Sequence, residues 1–374
     1  MTSGSSAAER DGSLAGVAGR MDGKPAVGYP RSMKVIAIDG YGLDNVSLTE
    51  VPAPEPAPGE VVVRLRAAAL NRLDLWTLSG ALKIEHSFPH TLGADGAGEI
   101  ESVGEDVEGI KPGMRVMINP ALHCDACEFC RAGEQSQCVN FAMLGEHVPG
   151  TLAERVVLPA GNVFPAPEHL SFTEIAALGT TAITAYRMLF TRAALRPGEW
   201  VLITGIGGGL AQSLFQFARP LAGRVFVTSS DDGKIERAID MGADAGVNYK
   251  AEDVGKAIRS RTGKRGVDLV ADSAGGPSLD GALRALRKGG RVVIAGAGAG
   301  PRPEVDLRRV FWNQLSIIGS TMGSDADVGD MLRMVAGTGI TPVLDRAFPL
   351  DEGVRALEYL DGGEQFGKVV VDIP

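Results

Sequence analysis

From Glu199 onward the chain repeats one unit: a short apolar run, a glycine-rich turn and a helical stretch. It reads WVLITG, then GGGLAQSLFQFARPLAG, then RVFVTSS. Short apolar strands separated by helices cannot close as hairpins. They lie parallel, with helices covering both faces of the sheet. Further strands are expected at VNY, VDLVADSAG and RVVIAGAG, so this stretch predicts a doubly wound parallel sheet of the α/β class.

Gly205, Gly207, Gly208 and Gly209 fall between the first strand and its helix, and Leu210 opens the helix. Glycine tolerates positive φ and lets backbone approach a pyrophosphate, while a helix N-terminus offers N–H donors and positive dipole. This predicts a dinucleotide site, with Gly296 after the strand RVVIA on the same side; a tight turn without ligand is the alternative. Pro220 should end the helix. A site selective for NAD places an acidic residue at the end of the second strand. Here that strand ends in Ser229 and Ser230, with Lys234 beyond them. Two hydroxyls and an ammonium suit a 2′-phosphate, which favours NADP(H). Asp231 and Asp232 keep NAD(H) open.

The N-terminal part is different. MKVIAI and the alternating Val61–Ala69 read as strands, and LGADGAGEIESVGEDVEGIKPGMRVMI as short strands joined by glycine turns. Helical periodicity begins near Phe172, after the candidate N-cap Ser171. Helices are expected at 326–336 and 351–360, before a last strand KVVVDI.

All four cysteines lie in HCDACEFCRAGEQSQC: Cys124, Cys127, Cys130 and Cys138. Four thiolates suit a closed tetrahedral zinc site, which leaves no position for water or substrate. Such a metal holds a loop. Disulfides are the alternative, disfavoured by the tight spacing and by a reducing compartment. His123, beside the cluster, is expected to be a bystander.

The net charge of −9 argues against nucleic-acid binding, which needs a basic face. No apolar run reaches the roughly 18 residues of a membrane span. Residues 1–32 lack the apolar core of a signal peptide and read as a disordered leader, so a cytoplasmic location is expected.

Taken together, LGADGAGEIESVGEDV, IKPGMRV, the cysteine lobe, GTLAERVVLPA and the terminal FGKVVVDI resemble the medium-chain dehydrogenase/reductases, over roughly Met33 to Pro374. The nearest subgroup looks like the quinone oxidoreductases and the zinc-lobe-bearing, alcohol dehydrogenase-like reductases. The resemblance implies a GroES-like β-rich catalytic domain in two pieces, 33–178 and 322–374, with a zinc lobe at 120–142. A Rossmann domain at 179–321 would lie between the pieces, and a cleft between the domains would hold the nicotinamide. It also implies NADP(H) contacts at Thr184, Lys234, Tyr249 and Lys368, and a structural zinc on the four cysteines.

In zinc alcohol dehydrogenases of the family, the resemblance puts the catalytic ligands at positions that here are Asn71, Ala94 and Thr180. An alanine cannot ligate, and the other two are poor zinc ligands. A shifted set drawn from Asp74, His90, Asp95 or His147 is the dissenting arrangement. Without a Lewis acid the substrate must bring its own activation. The reading is therefore an NADPH-dependent reductase of quinones or activated alkenes, including enoyl thioesters. A zinc-dependent alcohol dehydrogenase and a non-enzymatic cofactor-binding protein are the alternatives. Trp76 and Leu82 stand where relatives carry tyrosines, so no tyrosine acid is apparent. Asn71 would hold ribose or the substrate carbonyl, and Trp76 would wall the pocket. Asp74 is either a polar contact or a partner of its own turn, and His147 either a proton donor or a packing residue. A homodimer is expected through the apolar segment VFWNQLSIIG, Val310–Gly319.

Overall fold

The structure is a computed structural model that describes residues 31–374. Apart from Arg31 and Ser32, the expected leader lies outside the described residues. Ser32 already belongs to the first strand, Ser32–Ile38.

Six parallel strands form the sheet expected from the repeating pattern. In spatial order they are Ala245–Asn248, Arg224–Ser229, Trp200–Ile203, Val267–Asp272, Leu286–Ile294 and Ser316–Gly319. Every neighbouring pair is parallel. Val201, Leu202 and Ile203 are fully buried, as a central strand covered on both faces requires. The helix after the glycine turn, Gly209–Ala218, stops before Pro220.

The β-rich part is built around the strand Glu60–Ala69. It pairs antiparallel with Asp95–Val103, Arg155–Pro159 and the C-terminal Lys368–Asp372. The chain end thus returns to the first domain, aligning Val370 with Ala69. Ala67, Ala69 and Ala97 on the sheet, with Ala94 just before it, pack in one core with Ala176, Ala177 and Ala182 of the helix Phe172–Tyr186. Side chains this small let helix and sheet approach closely.

That helix starts as expected. Ser171 and Glu174 form a reciprocal capping box, with the Ser171 N–H donating to Glu174 Oε2 at 2.7 Å. It also breaks where no proline marks it: Gly179 has φ −33° and ψ −116°, outside the helical region. The same core cluster continues into the parallel-sheet domain through Val201, Leu214 and Phe217, so the two domains share packed side chains beneath the cleft between them.

Candidate active site

The break at Gly179 frees the backbone N–H of Thr180 from the helix ladder, and a carboxylate meets it. Asp95, fully buried, accepts from Thr180 N at 2.6 Å and from Thr180 Oγ1 at 2.7 Å with its Oδ1. Its Oδ2 accepts from Asn71 Nδ2 at 2.8 Å and from Lys368 Nζ at 3.0 Å. Lys368 Nζ also donates to Asn71 Oδ1 at 2.7 Å. The carboxylate caps the second half of a kinked helix, where the helix dipole favours negative charge. Gly179 is required there, because a Cβ would lie 2.4 Å from Asp95 Oδ1. Thr151 Oγ1 fixes the backbone behind the carboxylate by donating to Asp95 O at 2.8 Å.

This hub occupies the place where the resemblance puts catalytic metal ligands, and its polar side chains are engaged with one another. The Asn71 amide and Thr180 hydroxyl act as donors toward Asp95. Ala94 offers a methyl group, and the cation held there is the Lys368 ammonium. Among the described residues, the one cluster of three or more His, Cys, Asp or Glu with ligand atoms close enough for a metal ion is the four-cysteine group.

A cleft of about 1140 Å³ opens above the hub, between the domains. Its walls include Asn71, Trp76, Leu82, His147, Thr180, Thr184 and Lys368. Gly205, Gly207, Gly208, Gly209, Leu210, Ser229, Ser230, Lys234, Tyr249 and Gly296 also line it. Asp74, expected as a polar contact in the catalytic pocket or as a partner of its own turn, does not line the cleft. It is buried behind the cleft, accepting from Asn71 N at 2.7 Å and Gly93 N at 3.1 Å. It therefore supports its turn and the neighbouring strand entry and gives no wall to the cleft. Burial raises its pKa from 3.8 to about 7.

The glycines of the turn have separate causes. Gly205 adopts φ +70°. At Gly207 a Cβ would lie 2.9 Å from the Lys234 stem, and at Gly209 only 2.6 Å from the Lys368 stem. Gly208 has nothing nearer than 3.6 Å. The Gly367 N–H donates to Gly207 O at 3.0 Å, so the turn is docked on the returning C-terminal segment. No side chain caps the helix Gly209–Ala218, whereas Asp231 and Asp253 cap the helices Asp232–Asp240 and Val254–Arg261. Gly209, Leu210 and Ala211 of its first turn line the cleft, and a helix N-terminus of this kind can receive an anion.

At the far end of the cleft, Asp231 spends its carboxylate as that N-cap, accepting from Lys234 N at 3.0 Å, and does not line the cleft. Lys234 Nζ donates to Gly363 O at 2.9 Å, and Tyr249 is half exposed. Lys368, expected at the cofactor, lays its stem against the glycine turn but commits its ammonium to Asn71 and Asp95. His147 accepts at Nδ1 from the Met143 N–H at 3.2 Å, and burial lowers its pKa. The neutral ring therefore carries its proton on Nε2. Burial raises the neighbouring Glu146 carboxyl.

The four cysteines are free thiols, so no disulfide forms. Their sulfurs all lie within 4.8 Å of one another. Zinc–sulfur bonds of about 2.3 Å put tetrahedral sulfur–sulfur edges near ~3.8 Å, so the set fits one zinc. Backbone N–H groups of Cys124 and Asn140 point at Cys138 Sγ, at 3.4 and 3.3 Å. The lobe is tied to the rest of the chain by Arg187. It pairs with Glu134 of the lobe and, at 2.7 Å, with Asp327 of the helix Asp325–Thr338.

Sequence reasoning missed three parts of this arrangement: the Asp95–Lys368 pair, the break at Gly179 and the Arg187 tie. The one visible signal was a glycine inside a helical run, AALGTTA, which costs stability unless something needs it.

Comparison with known proteins agrees with this architecture. Residues 57–168 match the alcohol dehydrogenase GroES-like domain, and residues 209–337 the zinc-binding dehydrogenase family. A zinc-type alcohol dehydrogenase-like protein of Schizosaccharomyces pombe is 34% identical over 341 residues, covering 89% of this chain and 96% of the relative. The acryloyl-coenzyme A reductase of Metallosphaera sedula is 31% identical over 347 residues, 91% of this chain and 99% of the relative. A crystal structure of an NAD-dependent alcohol dehydrogenase superposes with TM-score 0.86 and 40% identity, covering 91% of this chain and all of that one. The chain belongs to the medium-chain dehydrogenase/reductase superfamily, with a GroES-like domain and a Rossmann-type nucleotide-binding domain. It is an NAD(P)-dependent oxidoreductase.

Proposed function

We propose that the chain is an NADPH-dependent reductase of activated alkenes or quinones that works without a catalytic metal. The observation that carries the reading is the hub of Asn71, Asp95, Thr180 and Lys368, with Ala94 beside it. Its side chains hydrogen-bond to one another, and its cation is an ammonium. When bound, the nicotinamide supplies a hydride with its electron pair to an electrophilic carbon of the alkene, or to one oxygen of a quinone. The substrate oxygen takes up the resulting negative charge. Water entering the open cleft supplies the one further proton, to the α-carbon of the enolate from an alkene, or to the remaining oxyanion of the hydroquinone anion when a quinone takes the hydride on its other oxygen. Trp76, Leu82 and Met143 wall the reacting end, and Thr184 and Asn71 face the nicotinamide side. The acryloyl-coenzyme A reductase among the relatives supports an activated double bond as substrate.

NADP(H) is favoured over NAD(H) because Ser229, Ser230, Lys234 and Tyr249 line the adenosine end while Asp231 is spent as an N-cap. One zinc on Cys124, Cys127, Cys130 and Cys138 holds the lobe. Four free thiols in a metal-type arrangement suit the reducing cytoplasm. A homodimer would cover the edge strand Ser316–Gly319 and the helix Leu307–Trp312, where Leu307, Phe311 and Trp312 are 70%, 66% and 75% exposed. A monomer by light scattering at micromolar concentration would remove that assignment.

The second reading is a zinc-dependent alcohol dehydrogenase, favoured by the names of several relatives. A substrate panel separates the two. Enones, quinones, enoyl thioesters, aldehydes and primary alcohols are offered with either nicotinamide, before and shortly after chelator. NADPH-dependent reduction of the activated substrates that survives brief chelation supports the reductase. Immediate loss of turnover with the fold intact by circular dichroism restores the alcohol dehydrogenase.

A further inference from the structure

The hub holds one more hydrogen-bond donor than it uses. Lys368 is 4% exposed, and its ammonium has three N–H groups. Two are taken, by Asn71 Oδ1 at 2.7 Å and Asp95 Oδ2 at 3.0 Å. No third acceptor engages it among the described residues, and Lys368 lines the floor of the cleft beside Asn71, Thr180 and Trp76. The ammonium cannot swing away. Its stem is packed against Gly209 so closely that a Cβ there would lie 2.6 Å from Lys368 Cδ. Asp95 cannot move either, because Thr180 holds its other oxygen at 2.6 and 2.7 Å. The result is a positive charge in a largely desolvated position, held in place by its partners on a residue that lines the cleft. Preorganised donors of this kind stabilise an oxygen that gains negative charge.

We propose that Lys368 is the oxyanion-binding residue of this enzyme: its free N–H receives the substrate's carbonyl or quinone oxygen, with Asp95 and Asn71 as positioning residues. The ammonium keeps its proton throughout and donates a hydrogen bond; no bond to the protein forms or breaks. The inference rests on the reductase reading only in naming the ligand as a carbonyl or quinone oxygen. It requires that Lys368 act on the substrate and not on cofactor affinity alone. Asp95 is then needed for geometry and charge balance, which explains why a carboxylate is buried in a site with no partner metal.

The test uses 4-nitrophenol, an oxyanion probe with a visible phenolate band, bound to the full-length protein with NADP⁺. The unmodified protein should make the bound phenol more acidic than in water, raising its phenolate-to-phenol ratio about tenfold at fixed pH, as one pKa unit requires. Lys368→Met should abolish the shift. Because that variant strands the Asp95 charge, the doubly substituted Asp95→Asn/Lys368→Met serves as the folded control and should also show no shift. A shift that persists in both variants, or none in the unmodified protein, overturns the proposal. Turnover is measured in parallel. Loss of one residue acting in this way should lower kcat by about 10²–10³-fold while the NADPH Kd changes little. Equal kcat in the variants with weakened NADPH binding would return Lys368 to the cofactor and overturn the proposal. A lysine-dependent phenol shift in a protein that reduces no activated alkene or quinone would keep the oxyanion site and discard the reductase reading.

Discussion

Replacing Asp95 with alanine is expected to destabilise the catalytic domain by about 3–5 kcal/mol, the usual cost of removing one partner from a buried ion pair. The structure supplies the reason for so large a value. Asp95 is 0% exposed, and the Lys368 side chain beside it is 5% exposed, so neither charge is screened by water. Alanine removes the acceptor of Thr180 N, Thr180 Oγ1, Asn71 Nδ2 and Lys368 Nζ in one step. The Thr180 N–H at the helix break and the ammonium then lie buried without the carboxylate. Asp95→Asn keeps an oxygen for Thr180 and should cost less. Removing both charges in Asp95→Asn/Lys368→Met should be milder than the sum of the single changes, with a coupling of about 1–3 kcal/mol. The assay is urea unfolding followed by tryptophan fluorescence, in which Trp76 in the helix Arg72–Ser79 reports on the domain that holds the hub. An Asp95→Ala protein within about 1 kcal/mol of the unmodified one would refute this account, because a buried pair cannot lose one member so cheaply. A double substitution costing the full sum would show that the two charges do not act on each other.

The remaining expectations concern the cofactor, pH and zinc. Lys234→Ala should weaken NADPH by about tenfold or more, as a charged contact worth about 1.5–3 kcal/mol implies, and leave NADH nearly unchanged; fluorescence titration of both cofactors checks it. Burial raises Asp74 from 3.8 to about 7, so the folded state binds this proton more tightly than the unfolded state. The stability it contributes is complete below about pH 4 and is lost as pH rises through about 7. Asp74→Asn should remove that slope, about 1.4 kcal/mol per pH unit, in denaturation curves across this window, and an unchanged slope would exclude Asp74 as its source. Purified protein should carry one zinc, and Cys127→Ser should lose it, loosening the lobe and its tie to Arg187; metal analysis with limited proteolysis reads both.

Much of the architecture was legible in the chain because it rests on short-range patterns. Strand and helix periods, the glycine turn after WVLI, the proline that stops its helix and the Ser171–Glu174 capping box all act over a few residues. The cysteine spacing belongs to the same class, since a tight loop brings its own thiols together. The family motifs likewise pointed to the residues that line the cleft. Tertiary structure decided what those residues do to one another. Asn71, Asp95, Thr180 and Lys368 are separated by up to 297 positions in sequence, and only the return of the last strand beside Glu60–Ala69 puts the ammonium on the carboxylate. Gly179 reads as a weakness in a helix until Asp95 is seen occupying the space a side chain would need. The sequence leaves Asp74 open between a pocket contact and its own turn, and Asp231 open as a ribose ligand; the fold makes the first close a buried turn and the second cap a helix. Local pattern fixes which element forms, because backbone hydrogen bonding and burial are satisfied within a few residues. The charge state and partners of a polar side chain depend on what the fold brings against it from elsewhere, and no window of sequence contains that information.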